Sequence, residues 1–132
     1  MVLFHQRANA VRTYLYIRAR SYSHAIEVRG DSRILIVSGL NGYQADGATM
    51  PESFEEQAEL IWTHLKAILA SAGMTVANLV SLRTYLADPD LDEANVRMRV
   101  KHLGPHRPAL TVICCRLLDA RWKLELEAMA AA

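Results

Sequence analysis

The stretch RPALTVICCRLLDARWKLELEAM, residues 107–129, decides how the chain reads. Residues 111–115 form a short β-branched and apolar run, and residues 123–129 alternate strictly between polar and apolar. Two strands joined by a charged turn are predicted. In the second, Leu124, Leu126 and Ala128 point one way; Lys123, Glu125, Glu127 and Met129 point the other. Two carboxylates on one strand face are at ease in water. Covered, they must be paired or hydrogen-bonded, because a buried charge without compensation is costly. Taken alone, the hairpin reads as a wet sheet face.

Working back along the chain, residues 78–87 predict another two-faced strand. Val80, Leu82, Thr84 and Leu86 lie on one face, and Leu79, Ser81, Arg83 and Tyr85 on the other. The more apolar face should meet a helix. That helix is announced by Ser53-Phe-Glu-Glu56, a capping box. Phe54, Ala58, Ile61, Leu65, Ile68 and Ala72 then form one apolar stripe, and Gly73 sits where a left-handed C-terminal cap belongs. A second helix is expected over residues 91–103, capped by Asp88 or Asp90 and stopped by Gly104 and Pro105. Further back, residues 33–38 (RILIVS) are apolar on both faces and predict a strand central in its sheet. Gly39, Gly42 and Gly47 mark a loop running to Pro51. Residues 24–29 (HAIEVR) and 11–17 (VRTYLYI) are further strand candidates, and residues 1–20 read as an N-terminal arm or edge strand. The expected architecture is α+β: one sheet with two helices on one face, the other face open to subunit packing.

The 132 residues fit one domain, 1–132. The formal net charge of +1 lacks the basic excess of a nucleic-acid binder. The first twenty residues carry Arg7, Arg12, Arg18 and Arg20 without an acid, a faint transit-peptide trait, but their alternation suits a strand better. No apolar run has the length of a membrane span. Cys114 and Cys115 are sequence neighbours, so on a strand they point to opposite faces and are expected as free thiols in a reducing compartment, the cytoplasm.

The whole pattern resembles the YjgF/YER057c/UK114 proteins, also called the Rid family. The resemblance rests on Tyr22-Ser23-His24-Ala25, Val37-Ser38-Gly39, Phe54-Glu-Glu-Gln57, Ala72-Gly73, Asn95, Arg107-Pro108-Ala109 and Glu125-Leu126-Glu127-Ala128, in that order. It implies a chorismate-mutase-like fold and a homotrimer with a barrel-like core of sheets, helices outside and a small-molecule pocket at each subunit interface. It further implies hydrolysis of reactive enamines and imines, such as 2-aminoacrylate, to a carbonyl product and ammonia. Some members of the family bear an endoribonuclease label. The family's deaminating members carry an arginine directly after the Pro-Ala pair, where it grips the substrate carboxylate as a fork. Here that position is Leu110, and Val112 stands where a cysteine is frequent.

By that resemblance Glu125 is the catalytic acid, positioning a water or relaying a proton; the structural alternative pairs it with an arginine. Tyr22, Gly39, Asn95, Arg107, Leu110 and Val112 are the substrate-binding positions. Each has a plainer reading: core packing for Tyr22, a turn for Gly39, a helix-to-loop hydrogen bond for Asn95. Arg107 is a candidate to replace the lost clamp, although the mouth of the pocket or solvent suits it as well. Arg83, on the same strand face as the acids by parity, is the expected partner of Glu125 or Glu127. His24 and His106 lack metal-ligand spacing, so no metal is expected. No phosphate-binding glycine loop or nucleotide motif occurs, so no cofactor is expected either. The chain is read as a hydrolase with a non-standard substrate or, alternatively, as a trimeric metabolite-binding module without turnover. Endoribonuclease activity comes third, with neither nucleic acid nor membrane expected as a partner.

Overall fold

The computed structural model describes residues 22, 23 and 25–132, together with the backbone of residues 3–6 and 11–15. In chain order the elements are β1 (Leu3–Gln6), β2 (Val11–Leu15), β3 (Ala25–Val28), β4 (Ile34–Leu40), α1 (Phe54–Ser71), β5 (Leu79–Leu86), α2 (Asp92–Leu103), β6 (Ala109–Cys114) and β7 (Leu124–Ala131). β1, β2 and β3 form an antiparallel three-stranded sheet with β2 in the middle. The larger sheet has the order β4-β7-β5-β6. β7 runs antiparallel to both β4 and β5, whereas β6 runs parallel to β5. A parallel bridge from Ser23 to Ala109 ties the N-terminal segment to β6.

Two sequence expectations change here. Residues 107–129 do contain two strands, but not a hairpin: β5 lies between β6 and β7. The alternation reported each strand's faces correctly and was silent on its neighbours. The run 33–38 forms β4, which is the end strand of its sheet and not a central one. Its outer face is bare: Ile34 and Ile36 are 57% and 74% exposed. A run apolar on both faces reports two hydrophobic faces, and hydrogen-bonded neighbours on both edges are a separate matter.

α1 starts where predicted. The Ser53 hydroxyl accepts from the Glu56 amide at 3.2 Å, and it donates to the Glu56 carboxylate at 2.8 Å. That carboxylate therefore meets the hydroxyl and not the Ser53 amide, the capping-box partner. Gly73, at φ 70°, closes the helix. Asp88 caps a short 3₁₀ turn, Pro89–Leu91, through the Asp90 amide at 2.8 Å. α2 follows it without a side-chain cap of its own.

The core lies between α1 and the sheet. Ile61, Leu65 and Leu69 are fully buried and belong to one cluster with Leu82, Leu86, Leu124 and Leu126. Truncating one of these leucines to alanine removes about 2–5 kcal/mol. The register brings Leu82, Thr84 and Leu86 opposite Ala128, Leu126 and Leu124, so the apolar halves of β5 and β7 share the helix-covered face. At the α1–α2 seam the His102 ring stacks flat on Trp62, with centroids 5.2 Å apart. Its Nε2 is 3.1 Å from the Glu59 carboxylate and its Nδ1 is 2.9 Å from the Lys66 ammonium. An ammonium only donates, so Nδ1 is the bare nitrogen and Nε2 carries the proton. His102 is thus neutral in this arrangement, and its pKa is held below the ordinary value of 6.5, first by burial.

Candidate functional site

The open face of the larger sheet carries the acids. β5 and β7 place Tyr85 opposite Glu125, Arg83 opposite Glu127 and Ser81 opposite Met129. One row down from Glu125, Arg83 Nη1 meets Glu127 Oε1 at 3.0 Å. Both side chains are at least a third exposed, so the pair contributes at most about 1 kcal/mol. Ile36, Ser38, Ser81 and Met129 border this pair around a shallow cavity of about 230 Å³.

Glu125 is arranged differently. The pairing of β4 with β7 shifts between Val37 and Leu40, a bulge at the edge of the sheet. Gly39 lies in that bulge, and the Glu125 side chain rests on it: a Cβ at Gly39 would touch the Glu125 carboxylate oxygen and lie 2.9 Å from its Cδ. Among the described residues, the Glu125 carboxylate makes no ion pair or hydrogen bond. Of the two arginine pairings that sequence allows for Arg83, the fold uses Glu127.

The remaining predicted positions fall elsewhere. Leu110 and Val112 sit opposite Leu82 and Thr84, which puts them on the helix-covered face, where they pack against the core. β5 separates β6 from β7, so they lie about 10 Å from the Glu125 strand and on the other face. Arg107 donates from Nη1 to the carbonyls of Gly104, at 2.7 Å, and His106, at 3.0 Å. It follows the end of α2 and does not point along β6. The Ser23 hydroxyl donates to the Arg107 carbonyl, and the Ser23 amide donates to Pro108 at 2.8 Å. These bonds hold the half-buried Tyr22 near the outer edge of β6. Asn95 is buried in α2, and among the described residues its Nδ2 has no hydrogen-bond partner.

One chain therefore brings Gly39 and Glu125 together, and gathers Tyr22, Arg107, Leu110 and Val112 at the other end of the sheet. His106 is buried, with Nε2 2.6 Å from the Leu79 carbonyl, a structural contact. His24 lies outside the described residues. Among the described residues no group of three metal-ligating side chains occurs.

Sequence reasoning gave no role to Gln57, which is fully buried and bonded to three backbone groups: the Pro51 carbonyl at 2.7 Å, the Arg121 carbonyl at 2.9 Å and the Lys123 amide at 2.8 Å. The available signal was a glutamine three residues after Phe54, on the apolar stripe. Tyr43 was also missed; its hydroxyl accepts from Trp122 Nε1 at 3.0 Å.

Comparison with known proteins agrees with this geometry. The chain is 31% identical over 113 residues to Protein MMF1, mitochondrial, of Saccharomyces cerevisiae, covering 85% of this chain and 75% of the yeast protein. It is 38% identical over 81 residues to the RutC family protein YjgH of Escherichia coli, covering 61% and 58% of the two chains. Its fold matches the crystal structure of YyfB, a Rid-family protein of Yersinia pestis, with a TM-score of 0.75 at 27% identity over 85% of this chain and 87% of the other. The mixed four-stranded sheet with two helices on one face is thus the YjgF/Rid fold. Residues 16–132 match the family described as Endoribonuclease L-PSP, and the chain belongs to that family, the YjgF/YER057c/UK114 proteins.

Proposed function

We propose that the protein hydrolyses a small enamine or imine in pockets completed by a second copy of the chain, within a homotrimer. Family membership supports a small-molecule deaminase or binding role. The observation that carries the catalytic reading is the Glu125 carboxylate, seated on Gly39 and, among the described residues, unpaired while Glu127 takes Arg83. A carboxylate without a salt bridge is available to accept a proton from water. An enamine first becomes its imine by moving a proton from nitrogen to the β-carbon. Water adds to the C=N carbon as Glu125 takes one of its protons and passes it to nitrogen, which gives the neutral carbinolamine. Glu125 then takes the carbinolamine hydroxyl proton and delivers it to nitrogen as the C–N bond breaks, releasing ammonia and a carbonyl compound. This balances with water as the only co-reactant and needs no cofactor. A second copy is required because Leu110 and Val112 stand at the far end of the same sheet from Glu125.

A second reading, binding without turnover, draws on Leu110 and Val112 packing against the core and on Arg107 engaging backbone carbonyls. Leu110 and Val112 supply no charge for a substrate carboxylate, and two of Arg107's contacts are with backbone carbonyls, which favours an uncharged substrate or no reaction. Ammonia release over a panel of enamines and cyclic imines separates the two readings. Turnover of one of them that is abolished by Glu125→Gln, with the assembly intact, supports the hydrolase. Ligand binding without ammonia release supports the module. The cytoplasm, expected from two free thiols, remains the proposed location. No helix among the described residues is long and apolar enough to cross a membrane.

A further inference from the structure

Two loops enclose the Glu125 end of the sheet. One leaves β4 and carries Asn41, Gly42 and Tyr43; the other leads into β7 and carries Arg121, Trp122 and Lys123. They are joined on the outside by Trp122 and Tyr43, with Arg121 lying 5.8 Å over the Tyr43 ring. They are joined on the inside by a single side chain. Gln57, in the first turn of α1, donates both Nε2 hydrogens, one to Pro51 at the end of the first loop and one to Arg121 in the second. Its Oε1 accepts from the Lys123 amide, two residues before Glu125. Gly42 packs on the same residue so closely that a Cβ there would lie 2.6 Å from Gln57 Cα. Gly42 is three residues past Gly39.

We infer that Gln57 is the positioning residue of this site: its amide ties the loop entering the Glu125 strand to the first turn of α1, its backbone seats Gly42 three residues past Gly39, and together these set the carboxylate against the glycine. The inference deepens the proposed reaction and rests on Glu125 being its acid. Its physical basis is saturation. A primary amide offers two donors and an acceptor in one plane, and here all three meet backbone groups in a fully buried place. No other side chain of that length does this. Glutamate keeps the acceptor and loses both donors, and methionine keeps the volume and loses all three.

Carboxyl-carbon NMR reads the consequence directly. In Gln57→Met the Glu125 carboxyl-carbon chemical shift is expected to move, because the carboxylate leaves its seat on Gly39, while that of Glu127 stays in place beside Arg83. Tyr43→Phe cuts the outer tie and should leave Glu125 in place. An unmoved Glu125 in a folded Gln57 variant overturns the inference. Should Gln57→Met not fold, Gln57→Glu supplies the same comparison. The wild type adds a check that no substitution can spoil: the Lys123 amide must be protected from hydrogen exchange, and free exchange there overturns the inference as well. If Glu125 moves but Glu125→Gln leaves ammonia release unchanged, the positioning role stands and the hydrolase reading falls.

Discussion

Gly39 and Gly42 are three residues apart and tolerate a methyl group very differently. At Gly39 the added Cβ meets the free end of Glu125, which can swing away. At Gly42 it meets the backbone of α1 at Gln57, which cannot. Gly39→Ala is therefore expected to lower stability by less than about 1 kcal/mol and yet to reproduce the functional loss of Glu125→Gln. Gly42→Ala should destabilise by about 1–3 kcal/mol, the range for an overpacked interior. Thermal melts beside the ammonia-release assay test both. A Gly39→Ala protein with full turnover would mean that the seat of Glu125 on Gly39 is irrelevant to function.

At the scale of elements, the α1–α2 seam predicts a pH dependence. His102 is neutral between Glu59 and Lys66, with Lys101 also bonded to Glu59 at 2.8 Å. Burial is the largest cause of its lowered pKa, opposed by the Glu59 hydrogen bond and assisted by Lys66 and Lys101. The unfolded chain then binds this proton more readily than the folded one. Stability from His102 is complete above pH 6.5 and is lost as pH falls through the lower, folded value. Glu59 is also held below its ordinary value, chiefly by the Lys101 hydrogen bond, and its contribution disappears only at more acid pH. Imidazole NMR should place the His102 midpoint below 6.5. Lys66→Met should raise it, since a repelling charge is gone. A midpoint at or above the ordinary value would show that the ring is not held neutral as drawn.

At the scale of the whole molecule, the open sheet face carries Ile34, Ile36 and Ile113, each at least 46% exposed, beside the Arg83–Glu127 pair. The proposed homotrimer predicts a sedimentation-equilibrium mass of about three times 14.8 kDa. A monomer or dimer mass would remove the interfacial pocket and the proposed chemistry with it. Wild-type protein is expected to hydrolyse 2-aminoacrylate poorly. An arginine fork contributes charge-assisted hydrogen bonds of about 1.5–3 kcal/mol each, so its loss amounts to roughly a hundredfold or more in rate. Leu110→Arg should raise keto-acid formation in a coupled threonine-dehydratase assay, with some loss of stability because Leu110 packs on the core. Wild-type activity equal to that of an arginine-bearing relative would show that another cation does the gripping.

What the sequence determined by itself was local. α1 was legible from its cap, its stripe and Gly73, and the faces of β5 and β7 from strict alternation, because periodicity is set by neighbours a few residues away. The candidate site positions Gly39 and Glu125 were legible as residues of a family pattern. Their contact was not. Nor was the choice of Glu127 over Glu125 by Arg83, a pairing across 44 residues that depends on β5 lying against β7. The insertion of β5 between β6 and β7 turned an expected hairpin into a crossover and sent Leu110 to the opposite face from Glu125. Gln57 showed in sequence as a polar residue on an apolar stripe and a member of a family motif, but its bonds were not legible, since two of its three partners lie more than sixty residues away. Strand order and loop closure follow from how buried surfaces fit together across the whole chain, and alternation within one strand carries no record of which strand will lie beside it.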